Sequence, residues 1–67
     1  MVKIRLNGEE KKIEEGLTVK ALLDSLNVNP YTVVVERNET VVRRAEIDKT
    51  AIVEGDQIEI VRFVGGG

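Results

Sequence analysis

The sequence predicts a single α+β domain, in which one main helix packs on one face of a mixed β-sheet. Two observations support this fold class. Polar and apolar residues alternate with a period of two near both ends of the chain, and one central segment has the spacing of an amphipathic helix. The 67 residues suffice for one such domain, whose core is too small to hold a deep catalytic cavity.

The chain opens with a predicted β-hairpin. Apolar residues from Val2 to Leu6 alternate with polar ones, which is typical of a strand with one buried face. Asn7-Gly8 follows, and this dipeptide suits the positive φ angles of a tight hairpin turn. Residues 10–14 then form a short returning strand, whose many charges indicate a solvated face.

A helix is predicted after Gly16, where the apolar spacing changes from two to that of a helical stripe: Val19, Leu22, Leu23 and Leu26. Thr18 is placed to cap the first turn, because its hydroxyl can accept a hydrogen bond from a free backbone N–H group. Asn27 and Asn29 are suited to end the helix, and Pro30 prevents its continuation.

Strands return in the second half of the chain. Residues 32–36 are rich in β-branched side chains and predict a strand buried on at least one face. Asn38-Glu39 is interpreted as a turn that leads into a short strand at Val41 and Val42.

The connection over residues 43–54 is interpreted as a brief helical turn near Asp48, with three apolar side chains in the core: Ile47, Ile52 and Val53. A turn at 54–56 precedes the final strand, 57–64. The element order fits a β-grasp, the ubiquitin-like fold, in which the first and last strands usually pair in parallel at the centre of the sheet.

The composition argues against several classes of function. The chain lacks Cys and His, and so lacks the commonest nucleophiles, bases and transition-metal ligands. Ten basic and twelve acidic residues are interspersed, which disfavours nucleic-acid binding. Four scattered arginines could steer an acidic partner, but they are interpreted as surface charges: Arg37, Arg43, Arg44 and Arg62. No stretch is apolar enough to span a membrane, so we expect a soluble cytoplasmic protein. Because it lacks Cys and His, we expect that it does not catalyse a reaction alone.

The most informative segment is the glycine tail, Gly65 to Gly67, which directly follows the last strand. We expect a domain over residues 1–64 and a flexible tail over 65–67. Glycine adopts almost any backbone angle and has no side chain to clash, so such a tail can enter a narrow active site of a partner. Gly65 and Gly66 then provide access, and the carboxylate of Gly67 is the candidate reacting group.

The alternation of side chains along the last strand predicts a binding surface beside the tail. Ile58 and Ile60 fall on the face assigned to the core, whereas Val61 and Phe63 fall on the other face, with Val64 at the edge. An exposed aromatic residue here can anchor a partner. Periodicity alone leaves open whether Phe63 is exposed or belongs to the core.

Several motifs together resemble the ThiS-like sulfur carriers of bacterial thiamin biosynthesis. The resemblance covers essentially the whole chain. It rests on Leu6-Asn7-Gly8-Glu9, Thr18-Val19 leading into Leu22-Leu23, Val35-Glu36-Arg37-Asn38, Glu54-Gly55-Asp56, Ile58-Glu59-Ile60-Val61 and Phe63-Val64-Gly65-Gly66-Gly67.

The resemblance implies a β-grasp fold and a carrier function. A ThiF-like adenylating enzyme, similar to ubiquitin-activating enzymes, activates the terminal glycine, here Gly67, with ATP and Mg²⁺ that the enzyme binds. A sulfur donor enzyme then converts the glycine to a thiocarboxylate, and a ThiG-like thiazole synthase receives the sulfur. The carrier itself binds no cofactor.

Two alternatives share the tail chemistry: a MoaD-like small subunit of molybdopterin synthase and a carrier for tRNA thiolation. A third alternative, from a different class, is a passive β-grasp module that binds proteins or RNA through its sheet, because a fold does not fix a function.

Overall fold

The structure is a computed structural model that describes residues 1–63. Its strands are β1 (Val2–Leu6), β2 (Glu9–Ile13), β3 (Val33–Arg37), β4 (Thr40–Val42) and β5 (Gln57–Arg62), and its helix is α1 (Val19–Ser25). Two short 3-10 helices span Pro30–Thr32 and Arg44–Glu46. The strand order is β2-β1-β5-β3-β4. β1 and β5 are parallel and the other pairs are antiparallel, so the predicted mixed sheet with central β1–β5 pairing is confirmed.

Both predicted hairpin turns are present. Asn7 and Gly8 have φ angles of 49° and 83° and connect β1 to β2. Asn38 and Glu39, at 53° and 70°, connect β3 to β4 in the same left-handed conformation. Two successive residues with positive φ match the twist of the flanking strands, which explains why a two-residue connection suffices at each place.

The helix begins as predicted and ends earlier than its apolar stripe. Thr18 Oγ1 accepts a hydrogen bond from the Ala21 amide at 3.1 Å. Leu26 caps the other end, and Asn27 follows with a φ of 57°, the left-handed conformation that terminates many helices. The prediction for Asn29 was wrong: its Oδ1 accepts from the Tyr31 amide at 2.8 Å and caps the following 3-10 helix instead.

The core lies between α1 and one face of the sheet. It consists of buried aliphatic side chains: Ile4, Ile13, Val19, Leu22, Leu23, Val33, Val35, Ile47, Ile52 and Ile58. Among residues 1–63, the side chains on the opposite face of the sheet are mostly exposed, and we call it the open face. No helix within those residues is long and apolar enough to cross a membrane.

The connection between β4 and β5 contains one correction. Ile47 and Ile52 are buried as predicted, and a 3-10 turn ends just before Ile47. Val53, however, is 49% exposed, so its assignment to the core was wrong. The Ile52 amide donates to the Leu17 carbonyl at 2.8 Å and holds Ile52 against the helix entry. Because neighbouring residues of an extended segment point to opposite sides, Val53 faces solvent.

Candidate partner-binding surface

The central strand β5 carries the chain toward the glycine tail. Ile58 is fully buried and Ile60 is partly buried against the core, so the core face predicted for this strand is confirmed. Val61 pairs in register with Val34 of β3, and the alternation of the strand places it on the open face. The last described residues of the chain therefore present one face to the core and the other to the outside.

Phe63 is an exposed side chain on a fixed backbone. The residue is 58% exposed, which answers the question that periodicity left open. Its amide donates to the Thr32 carbonyl at 3.1 Å, so antiparallel contact with the β3 side continues past the end of β5. Val61 is 49% exposed. Val64 and the tail residues Gly65, Gly66 and Gly67 lie outside the described residues, and their predicted roles stay predictions.

Two further valines belong to this surface, and sequence reasoning missed them. Val34 is half-buried beside Val61, and Val41 on β4 is 55% exposed. A signal was present, because the middle of three consecutive strand valines, 33–35, must point away from the face that the outer two share. Together Val34, Val41, Val61 and Phe63 form what we call the open-face patch.

An aromatic and basic pair stands beside the same end of the sheet. The Arg44 guanidinium carbon lies 4.8 Å from the centroid of the Tyr31 ring, a cation–π distance. Tyr31 itself is highly exposed and immediately precedes Thr32, whose carbonyl accepts from Phe63. The interpretation of Arg44 as an isolated surface charge was therefore incomplete, because it rests on an aromatic ring near the patch.

A buried carboxylate fixes the opposite end of β5. Asp56 accepts hydrogen bonds from Arg37 Nε at 2.8 Å, Asn38 Nδ2 at 3.0 Å and the Val53 amide at 2.9 Å. The interpretation of Arg37 as a surface charge was wrong, because it is only partly exposed and pairs with Asp56.

The electrostatics of this network favour the ionised carboxylate. Burial alone raises the pKa of Asp56, but the bonds from Val53, Arg37 and Asn38, with the charge of Arg37, outweigh it and hold the pKa below its ordinary value. Asn38 also accepts from the Gln57 amide at 2.9 Å, so the β3–β4 turn and the start of β5 form one connected unit. Sequence reasoning assigned Asp56 only to a turn.

The chemistry available within residues 1–63 is that of a binding surface. No group of three or more Asp, Glu, His or Cys residues in this part of the chain is arranged to hold a metal ion. The exposed apolar and aromatic groups include Val61 and Phe63 at the end of β5, the last strand in this part of the chain.

Comparisons with known proteins agree with this geometry. The model of the ThiS family matches residues 4–67. A sulfur carrier protein ThiS from Bacillus subtilis is 35% identical over 65 residues, which cover 96% of this chain and 98% of that protein. A crystal structure of a thiamine biosynthesis protein, ThiS, from Geobacter metallireducens superposes with a TM-score of 0.86 at 35% identity and covers 98% of this chain and 100% of that one.

Other relatives are much longer. A thiazole synthase from Magnetococcus marinus is 47% identical over 66 residues, which are 98% of this chain but 20% of that protein. A thiazole synthase from Paramagnetospirillum magneticum is 42% identical over the same length and the same share. The chain thus spans a fifth of the length of these two relatives. Since the family model matches the chain from β1 through the glycine tail, the chain belongs to the ThiS family.

Proposed function

We propose that this chain carries sulfur for thiamin biosynthesis and that the carboxylate of Gly67 is its reacting group. The observation that carries the proposal is the family match over residues 4–67, which includes the whole glycine tail. Support also comes from the strand that precedes the tail, because Val61 and Phe63 are exposed there and the backbone is hydrogen-bonded on its β3 side up to Phe63.

The proposed chemistry begins with activation of a carboxylate, which is a poor acyl donor. The carboxylate oxygen attacks the α-phosphorus of ATP, pyrophosphate leaves, and an acyl-adenylate forms. The terminal sulfur of a persulfide then attacks the acyl carbon and displaces AMP. The product is an acyl disulfide between Gly67 and the sulfur donor. A second thiol attacks the donor's own sulfur in this disulfide, which releases the thiocarboxylate and leaves a disulfide between the donor's thiol and the second thiol.

All catalytic groups in this scheme belong to partners. An adenylating enzyme binds ATP and Mg²⁺, a sulfur donor enzyme supplies the persulfide, and a thiazole synthase accepts the sulfur. Thiazole synthase is favoured as the acceptor because two relatives of that name contain, within one polypeptide, a segment that matches nearly all of this chain. The same observation favours this pathway over molybdopterin synthesis and tRNA thiolation.

The open-face patch is proposed as the surface that these partners contact. Its exposed valines and phenylalanine are apolar groups that gain free energy when a partner removes them from water. The nearby Tyr31–Arg44 pair adds a cationic, aromatic border. In this proposal the patch provides affinity, whereas the glycines provide entry to the active site.

The first test is the intact mass of the chain after incubation with ATP, Mg²⁺, a sulfur donor and the adenylating enzyme. We expect a mass gain equal to the replacement of one oxygen by sulfur, mapped to Gly67 and absent without ATP. The same spectrum of the starting protein establishes that its last residue carries a free carboxylate.

Two control variants separate tail chemistry from folding. A chain that lacks Gly66 and Gly67, and a chain with one alanine added after Gly67, should fold normally and gain no sulfur. If neither the chain nor any variant changes mass with any activating enzyme, the carrier function is wrong and a passive binding module takes its place. If the truncated chain retains full activity in sulfur transfer, the assignment of Gly67 is wrong.

A further inference from the structure

The backbone of β5 is hydrogen-bonded on two sides over most of its length. On the β3 side, Gln57 accepts from the Asn38 amide at 2.8 Å, and Phe63 donates to Thr32. On the β1 side, Ile58 accepts from the Asn7 amide at 2.9 Å. Because the polar groups of successive strand residues alternate in direction, the N–H and C=O groups of even-numbered residues of β5 point toward β1.

The support from β1 ends before β5 does. The register of the two strands stops at Leu6 opposite Ile58. Asn7 extends it by one bond, because its side-chain Oδ1 accepts from the Ile60 amide at 2.8 Å. The chain then turns back into β2 at Gly8.

Three backbone groups beyond this point face a position that no strand among residues 1–63 occupies. They are the Ile60 carbonyl and the amide and carbonyl of Arg62. Within residues 1–63 no hydrogen bond reaches any of them. Arg62 is exposed, so solvent or an incoming chain can reach this edge.

The two outer edges of the sheet differ from this inner one. β2 carries the sequence Glu-Glu-Lys-Lys-Ile and is exposed over its first four residues, and charged edge strands of this kind resist pairing with other chains. β4 is only three residues long, which also limits pairing. The free edge at Ile60–Arg62 carries a single charged side chain and continues in sequence toward the glycine tail.

We infer that an extended segment of the adenylating enzyme, which receives the tail, adds to the sheet at this edge, in the position beyond the end of β1. The inference rests on the proposed carrier function. The segment donates to the Ile60 carbonyl, accepts from the Arg62 amide and continues along the strand. Strand addition of this kind supplies affinity through main-chain bonds and is directional.

The side chains around the edge specify the chemistry of the incoming segment. Arg62 is paired with Val33, so it lies on the helix side of the sheet, and its charge selects an acidic residue there. Val61 and Phe63 lie on the open face and select apolar residues on that side. The added strand thus borders the open-face patch.

The inference predicts a specific change in amide hydrogen exchange. In the free protein, the Arg62 amide should exchange rapidly, whereas the Val61 amide, which faces β3, should be protected. In complex with the adenylating enzyme without ATP, exchange at Arg62 should slow by at least about tenfold, as expected for a newly bonded amide. The Val61 amide is the internal control and should change much less.

A pair of variants tests the bond itself. Arg62→Pro removes the amide hydrogen, and Arg62→Ala removes the side chain but keeps that hydrogen. Proline is tolerated at strand positions whose N–H group has no partner, so the fold should persist, as circular dichroism and the urea midpoint will show. We expect Arg62→Pro to weaken binding to the adenylating enzyme about tenfold or more, and Arg62→Ala only about threefold.

A semisynthetic chain with an ester in place of the amide of residue 62 removes the same hydrogen without the proline ring. It should bind as weakly as Arg62→Pro. The inference is overturned if both chains bind like Arg62→Ala, or if Arg62 exchanges as fast in the complex as in the free protein. When the unmodified chain still gains sulfur in those cases, the carrier function stands and only strand addition fails. When the unmodified chain neither binds nor gains sulfur, the carrier function and this inference both fail.

Discussion

The two ends of β5 differ in how much of the fold depends on them. At its start, Ile58 is fully buried, and the neighbouring Asp56 accepts three hydrogen bonds, two of them from the end of β3 and the β3–β4 turn. At its end, Val61 and Phe63 are about half exposed, and the backbone of Arg62 has no partner on the β1 side among residues 1–63. One strand thus combines a stabilising end with a binding end.

This difference indicates that the two ends of β5 have different roles. Interactions that are satisfied within the domain contribute to the free energy of unfolding, whereas groups left open cost little to the fold and are available to a partner. A substitution at the start of β5 should therefore act mainly on stability, and one at the end mainly on binding. The expected change in the free energy of unfolding therefore decreases from the start of β5 to its end.

Asp56→Ala should produce the largest loss in the free energy of unfolding. It leaves Arg37, Asn38 and the Val53 amide without their shared acceptor, and the loss of these three hydrogen bonds, one of them from a charged group, costs about 3 kcal/mol. Urea unfolding followed by circular dichroism measures the change. Glu59→Ala is the matched control, because Glu59 is an exposed acid that pairs across strands with Glu36, so its removal should be neutral or slightly stabilising. A loss below about 1 kcal/mol for Asp56→Ala would contradict the assigned role.

The contribution of Asp56 should depend on pH in a defined direction. Its pKa is lower in the folded chain than its ordinary value, so the folded state favours the ionised form. The resulting stability is fully present above the unfolded pKa of about 3.9 and is lost as the pH falls toward the lower folded pKa. The difference in unfolding free energy between the unmodified chain and Asp56→Asn should be constant from about pH 5 to 7 and should narrow below about pH 4. A difference that grows on acidification is incompatible with this sign.

Asn7 bonds to Ile60, between the two ends of β5, and its substitution should reduce the free energy of unfolding by an intermediate amount. Asn7→Gly keeps the positive φ of the turn but removes the side-chain acceptor of the Ile60 amide, and we expect a loss of about 1 kcal/mol. Asn7→Asp keeps both the acceptor and a residue that tolerates this backbone conformation, so it should cost less than Asn7→Gly. Thermal unfolding of the two variants distinguishes them. Equal stabilities would show that the bond to Ile60 adds nothing.

Most of the fold could be predicted because its signals are local. The alternation from Val2 to Leu6, the stripe from Val19 to Leu26 and the turn at Asn7-Gly8 each depend on residues a few positions apart. The exposure of Phe63 could not be predicted, because it depends on whether anything covers the open face beyond β5. That is a property of the whole sheet and not of the strand.

The Asp56 network shows the second limit of sequence reasoning. Arg37 and Asp56 lie 19 positions apart, and their contact depends on the pairing of β3 with β5. An aspartate after glycine is typical of a turn, and an arginine before a turn is typical of a surface charge. Each local interpretation was reasonable, and their combination into a buried pair required the tertiary structure. The prediction for Val53 was wrong for a different, local reason, because two adjacent residues of an extended segment, Ile52 and Val53, were both assigned to the core.

Substitutions in the open-face patch should have the smallest effect on folding and a clear effect on binding. Phe63→Ala and Val61→Ala should each change the unfolding free energy by no more than about 0.5 kcal/mol, because both side chains are about half exposed. Binding to the adenylating enzyme, measured by calorimetry, should weaken about tenfold for Phe63→Ala, since an exposed aromatic anchor often dominates an interface.

Val53→Ala is the control for Val61→Ala: both valines are 49% exposed, but Val53 lies near the start of β5, away from the patch. If Val53→Ala weakens binding as much as Val61→Ala does, the two ends of β5 are not functionally distinct. If Phe63→Ala unfolds the chain, its ring stabilises the fold and the division between the two ends is wrong.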